Sequence, residues 1–397
     1  MMRNYEELKS IYRDMFNSGA SKADVARRIA HDNLGLTKER YITLLIDTCK
    51  HTKNGAATYY NNHIKQNKLN KATRHDQSSE GIKASEKTQE AKQKIQKDLE
   101  SIDLSKEEFL VNNTQLTNFL AGCWRDFEGF SFTNSSKRIN RQSQTKSSTY
   151  CSLLEAFDDY QWNKKNFSEV TKLLLELKTE LHNGMIKNDE KGLFLTISEV
   201  LYWGGVLKDN IAGPFLIKAR KGTLVQYLHS LVNVLDSSTC SMKMISNLPS
   251  ELLSDSGATK VYSLVGTESI IYDDRVSAAL GVLINQFLGD KKLTPDLRLI
   301  MGKKDKRGIN NRDPSNDYQK YPKKGSEGHH KKAHFISNVK ANWLLSATAS
   351  KLLREDDGFQ YIVQNLCEYL NTNDEKWVAI RVLEASLFMA GHNVPTK

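Results

Sequence analysis

The sequence predicts a mostly α-helical protein, and three observations carry that prediction. Apolar residues recur three and four positions apart in one segment after another, the spacing of a buried helix face. Runs of alternating β-branched and aromatic residues, the mark of strands, are few. The apolar fraction of 39%, with 14 Phe, 15 Tyr and 5 Trp, suffices for real cores, and 397 residues imply two or three domains.

Residues 1–67 read as a small helical module. Tyr5, Leu8, Ile11, Tyr12, Met15 and Phe16 fall on one face of a first helix, which Gly19-Ala20 ends. Ser21 can cap a second helix, S-K-A-D-V-A-R-R-I-A, and R-Y-I-T-L-L-I-D-T-C supplies a third. A turn at T-K-N-G then opens into a short helix carrying Tyr59, Tyr60, Asn61, Asn62, His63 and Lys65. Short helices, tight turns and a last helix rich in hydrogen-bonding and cationic side chains resemble a helix-turn-helix DNA-binding module. Tyr59 and Tyr60 would then approach a groove. A helical docking module without a nucleic-acid role fits the same pattern. Residues 68–100 hold almost no large apolar side chain and read as a charged, flexible linker.

The region 101–397 reads as one helical body. L-T-N-F-L-A-G-C-W-R-D-F precedes a polar run whose Lys137, Arg138, Arg141 and Lys146 suit either phosphate contact or a solvated loop. Helical spacing resumes at Y-C-S-L-L-E-A-F and at T-K-L-L-L-E-L-K-T-E-L. F-L-T-I-S-E-V-L-Y-W-G-G-V ends a helix on Gly204-Gly205, leaving Tyr202 and Trp203 beside a turn. They are either core aromatics or planar surfaces on which an extruded base stacks.

The stretch Ser269–Leu288, S-I-I-Y-D-D-R-V-S-A-A-L-G-V-L-I-N-Q-F-L, organises this half. Val276, Ala279, Leu280, Leu283, Ile284 and Phe287 mark one buried helix face, so Asp273 falls at or just before the first turn. There a carboxylate accepts from free backbone N–H groups and gains from the helix dipole. Taken alone, this describes an ordinary N-cap. Beyond it, 11 Lys or Arg stand against 4 Asp or Glu between Lys303 and Lys340, and Arg312, Lys323 and Lys324 are candidates for a phosphate-contacting wall. The adjacent His329 and His330 match no metal-ligand spacing. A-H-F-I-S-N-V-K-A-N-W-L-L adds Asn342 and Trp343 as candidate base-pocket residues, and E-K-W-V-A-I-R-V-L-E-A-S-L-F-M-A closes the fold with an apolar face.

Lys and Arg exceed Asp and Glu by 57 − 47 = 10, which favours a polyanionic partner, nucleic acid ahead of a membrane surface. Five cysteines are scattered singly without C-x-x-C, arguing against a zinc or thioredoxin-type site and suiting a reducing cytoplasm. No apolar run reaches the length of a membrane span, and the common NTPase, dinucleotide and hydrolase motifs are missing. A cytoplasmic protein without metal or cofactor is expected.

The segment I-Y-D-D-R-V-S-A-A-L-G resembles the part of the helix-hairpin-helix DNA glycosylases that carries their catalytic aspartate, V-D-T-H-V followed by a helix. On that pattern Asp273 takes the catalytic position and Arg275 the place where the family often has His. Upstream, L-P-S-E-L-L-S-D-S-G-A-T-K resembles the family's hairpin, L-P-G-x-G-x-x-T-A. The resemblance implies a helical glycosylase fold in the C-terminal half and a phosphate clamp from backbone N–H groups near Ser256 and Gly257. Asp273 would stabilise the positive charge that grows on the sugar as the base leaves. Asp274, Arg275 and Lys260 would support it, Arg275 by gripping a phosphate or by pairing with Asp274. Lys260 lies closer to the aspartate than the lysine of the strand-cleaving members does, so a monofunctional enzyme is expected. The overall organisation resembles bacterial antiviral glycosylases that remove glucosylated hydroxymethylcytosine from double-stranded phage DNA. Two other readings fit: a DNA-binding regulator without catalysis, and a glycosylase for damaged bases.

Overall fold

The computed structural model describes residues 5–32, 38–50, 52, 56–57, 104–135, 147–246, 248, 252–302, 310–322 and 329–394. The chain divides into two compact units, Met1–Gln93 and Lys94–Lys397. Among the described residues, 16 α-helices and a single two-stranded sheet make a mostly helical protein. No helix among them is long and apolar enough to cross a membrane.

In the first unit, α1 (Tyr5–Asn17), α2 (Lys22–Asp32) and α3 (Lys38–Cys49) enclose a core of Tyr12, Val25, Ile29, Tyr41, Leu44 and Leu45. Ser21 caps α2 by accepting from the Asp24 N–H at 3.2 Å. The buried Tyr41 hydroxyl donates to the Ala26 carbonyl at 2.9 Å, which satisfies its polar end inside the core. Tyr59, Tyr60 and the stretch 68–100 lie outside the described residues.

The second unit runs through α4 (Lys106–Asn112), α5 (Thr114–Gly122), β1 (Phe132–Ser135), β2 (Ser147–Tyr150), α6 (Leu153–Asp158), α7 (Phe167–Ile186), α8 (Glu190–Trp203), α9 (Asp209–Arg220), α10 (Leu224–Leu235), α11 (Met242–Ser246), α12 (Ala258–Val265), α13 (Asp274–Leu288), α14 (His329–Glu355), α15 (Asp357–Leu370) and α16 (Glu375–Ala390). The antiparallel hairpin, in register Phe132 with Tyr150, escapes prediction because its strands are four residues long and rich in Ser and Thr. The polar run between them lies outside the described residues.

The last helix differs from its prediction. Instead of one apolar face, α16 is buried on every side, from Trp377 to Ala390 with Phe388 alone half-buried. It packs against α6, α13, α14, α15 and β1, so it is the axis of this unit. Two charges, Arg381 and Glu384, are buried with it.

One ionic cluster ties the beginning and end of this unit together. Glu268 accepts from Lys106 of α4 and Ser346 of α14, each at 2.8 Å, and pairs with Lys376 of α16. Burial would raise its carboxyl, but these three donors hold it down at about 2. Glu268 opens the segment that leads to Asp273.

Candidate active site

A helix needs a partner for the free N–H groups of its first turn, and at α13 that partner is Asp273. Its Oδ1 accepts from Arg275 N at 2.8 Å and Val276 N at 3.0 Å, with the backbone extended as an N-cap requires. Among the described residues, the other oxygen, Oδ2, accepts no hydrogen bond.

Asp273 lies on the wall of a cleft of about 260 Å³. Asp274, Arg275, Lys260, Ser256, Trp203 and Arg312 line the same cleft, so seven of the residues singled out in the sequence meet there. The remaining aromatic walls are Tyr160, Trp162, Phe167 and Phe388. Trp162 packs at 6.2 Å from Trp203 and 5.5 Å from Phe388, and its indole N–H donates to the Trp203 carbonyl at 3.3 Å. The Tyr160 hydroxyl is pushed up by burial, so it stays protonated.

The charged groups are arranged around these rings. The Arg275 guanidinium sits 4.3 Å above the Phe388 ring, a cation–π contact. Burial lowers it to about 10, and the neighbouring Arg312 adds to the shift while Asp273 opposes it. Among the described residues neither guanidinium has a hydrogen bond or ion pair, and the Arg312 Nε is buried without a partner. The predicted Arg275–Asp274 pair does not form; the aromatic ring takes the guanidinium instead.

Lys260 reaches the cleft from α12 and donates from Nζ to the Ser256 carbonyl at 3.0 Å. Its aliphatic stem crosses Gly204, where a Cβ would lie 2.5 Å from the Lys260 Cε. The glycine that reads as a helix stop in the sequence therefore also makes room for this lysine.

The hairpin differs from what the resemblance implies. In the turn that enters α12, Asp255 Oδ1 accepts from Gly257 N at 2.7 Å and Ala258 N at 2.8 Å, so these amides are already engaged. The buried Gly257 is pressed on Ile211, where a Cβ would lie 2.8 Å from Cγ2. Of the predicted clamp, Ser256 alone lines the cleft.

Several other candidates lie elsewhere. Tyr202 is 77% exposed and outside the cleft wall, because it points opposite to Trp203 at the end of α8. Asn342 and Trp343 are core residues: Asn342 Oδ1 accepts from Ile270 N at 3.0 Å, and Trp343 packs 5.4 Å from Phe109. Both are 1% exposed, too enclosed to touch a base. Lys340, counted in the basic stretch, is equally buried. Lys323 and Lys324 lie outside the described residues.

Tyr160, Trp162, Arg381, Glu384 and Phe388 were not singled out by sequence. One signal for two of them is present: an Arg and a Glu three apart in a helix with no polar face must be buried together, and such pairs mark special sites. No group of three or more His, Cys, Asp or Glu among the described residues is placed to hold a metal. Compared with known proteins, the chain matches no family model, no curated protein and no solved structure.

Proposed function

We propose that this chain is a monofunctional DNA glycosylase of helix-hairpin-helix type, with Asp273 as its catalytic carboxylate. The observation that carries the reading is Asp273 itself. One oxygen is fixed by the N-terminus of α13 and the other accepts no hydrogen bond among the described residues, on the wall of an aromatic cleft. A preorganised carboxylate in such a cleft stabilises an oxocarbenium-like sugar far better than one in water. Trp162, Trp203 and Phe388 offer planar surfaces to an extruded base, and the cleft volume suits a flipped nucleobase. Arg275 and Arg312, two neighbouring cations without a carboxylate bound to either among the described residues, suit the flanking phosphates.

The substrate we favour is glucosylated hydroxymethylcytosine in phage DNA, whose loss leaves abasic sites that block copying. Purified protein is mixed with such DNA and with unmodified DNA, abasic sites are labelled through their aldehydes, and the released base is weighed by mass spectrometry. Abasic sites on modified DNA, reduced about 100-fold or more by Asp273→Asn, are expected. Asparagine caps a helix about as well as aspartate, so the variant stays within about 0.5 kcal/mol of wild type. Tight, salt-sensitive binding with no base released from any DNA would sink the enzyme reading and leave a regulator.

Lys260 favours a second reading. Its amine shares the cleft with Asp273, where attack on the sugar C1′ would expel the base, open the ring to a Schiff base, and let β-elimination release the 3′ phosphate and cleave the strand. Borohydride trapping separates the two: a covalent adduct that disappears in Lys260→Met selects the strand-cleaving enzyme.

A further inference from the structure

The segment Ser269–Tyr272, neither helix nor strand, delivers Asp273 to the cleft, and no sheet among the described residues holds it. Side chains from other elements take its backbone groups instead. The Ser269 carbonyl accepts from Arg381 Nη2 at 2.8 Å, Ile270 N–H donates to Asn342 Oδ1 at 3.0 Å, and Ile271 N–H donates to Glu384 Oε2. Arg381 and Glu384, one turn apart on α16, also hold each other: Nη1 donates to Oε1 at 3.0 Å, and Nη2 lies 2.5 Å from Oε2. They are 2% and 8% exposed.

A buried ion pair recovers little more than its own desolvation, and apolar residues of similar volume often replace one without loss of stability. Stability alone therefore does not account for two charges inside α16. Nor is Glu384 available for proton transfer, since Arg381 and Ile271 N–H occupy both of its oxygens. What the pair does is bind two consecutive backbone handles, two and four residues before Asp273.

We propose that Arg381 and Glu384 are the positioning residues of Asp273: by fixing Ser269 and Ile271 they set where its carboxylate meets the sugar. The inference rests on the glycosylase reading and adds to it a role for the last helix. Misplacing a reacting group by about 1 Å costs on the order of 100-fold in rate.

Single-turnover base release and DNA affinity are measured on the full chain for wild type and the double variant Arg381→Met/Glu384→Met. This variant removes both charges, roughly keeps the volume and leaves Ser269 and Ile271 without partners. Positioning predicts a folded protein, by circular dichroism, whose rate constant falls about 10- to 100-fold while DNA affinity is unchanged. A folded double variant that works at the wild-type rate overturns the proposal. So does a parallel loss of rate and affinity, the signature of a loosened fold. Should the double variant not fold, Arg381→Lys decides by the same criterion, because a lysine ends about one bond short of the Nη2 position from which Arg381 touches both Glu384 and the Ser269 carbonyl. A wild type that releases no base from any DNA removes the glycosylase reading and this role together. An active wild type with an indifferent variant removes the role alone.

Discussion

Gly391 lies flat against the backbone of Arg275: a Cβ at that position would sit 2.7 Å from the Arg275 carbonyl carbon and 3.1 Å from its Cα. With φ at −81° the backbone suits any residue, so proximity and not conformation demands glycine here. Gly302 lies as close to the neighbouring residue, where a Cβ would lie 2.9 Å from Asp274 Cβ. The first turn of α13 is thus packed closely against two glycines. Gly391→Ala is expected to cost about 1–3 kcal/mol in urea unfolding, since a packed backbone has nowhere to move. It should also slow base release in the fraction that stays folded. A wild-type rate in Gly391→Ala would mean that the turn tolerates displacement.

Arg275 and Arg312 yield to a salt titration. If each neutralises one phosphate, Arg275→Ala and Arg312→Ala each lower the slope of log affinity against log salt by about 0.9. Arg275→Ala also uncovers the Phe388 ring, so it should lose stability that Arg312→Ala keeps. Slopes equal to wild type in both variants would place the phosphates elsewhere.

Glu268 is a test of acid stability. Its carboxyl titrates at about 2 in the folded chain against 4.5 when free, because Lys106, Lys376 and Ser346 outweigh burial. A depressed carboxyl stabilises fully above pH 4.5 and loses that contribution as the pH falls towards 2. Glu268→Gln is expected to cost about 2 kcal/mol at pH 7 and less than half of that at pH 3. Denaturation at both values measures it, and a deficit independent of pH would show that packing, not charge, is what the variant lost.

Lys340 runs the other way. The residue is 1% exposed, and burial lowers its amine to about 8 against the opposing pull of Asp296. A lysine lowered in this way costs stability in full below pH 8, and the cost fades as the pH rises to 10.5. Lys340→Met should therefore raise unfolding stability by about 2 kcal/mol at pH 7, with the gain shrinking towards pH 10. An unchanged midpoint at pH 7 would refute the cost of this buried charge.

What the sequence revealed was local. Asp273 could be placed at the head of α13 because capping and apolar spacing both operate within a few residues. The three helices of the first unit were visible for the same reason. Tyr160, Trp162, Arg381, Glu384 and Phe388 were not, because packing over long separations brings them to the cleft: Glu384 meets Ile271 across 113 positions. Asn342 and Trp343 were misread because an amide beside an indole looks alike in a pocket and in a core. The need that fixed Asn342 was a lone backbone N–H at Ile270, which no pattern within α14 encodes.

The order of synthesis gives the closure of this fold a consequence. Glu375, where α16 begins, follows Asp273 by 375 − 273 = 102 positions, so a ribosome makes the carboxylate long before the helix that fastens it. Contacts over such separations form late, after the local helices. A nascent chain, or one whose translation stops before α16, carries Asp273 on a segment that Arg381 and Glu384 do not yet hold. In the proposed glycosylase the last helix would thus act as a proofreading step: only a chain made through to that point has its carboxylate fastened.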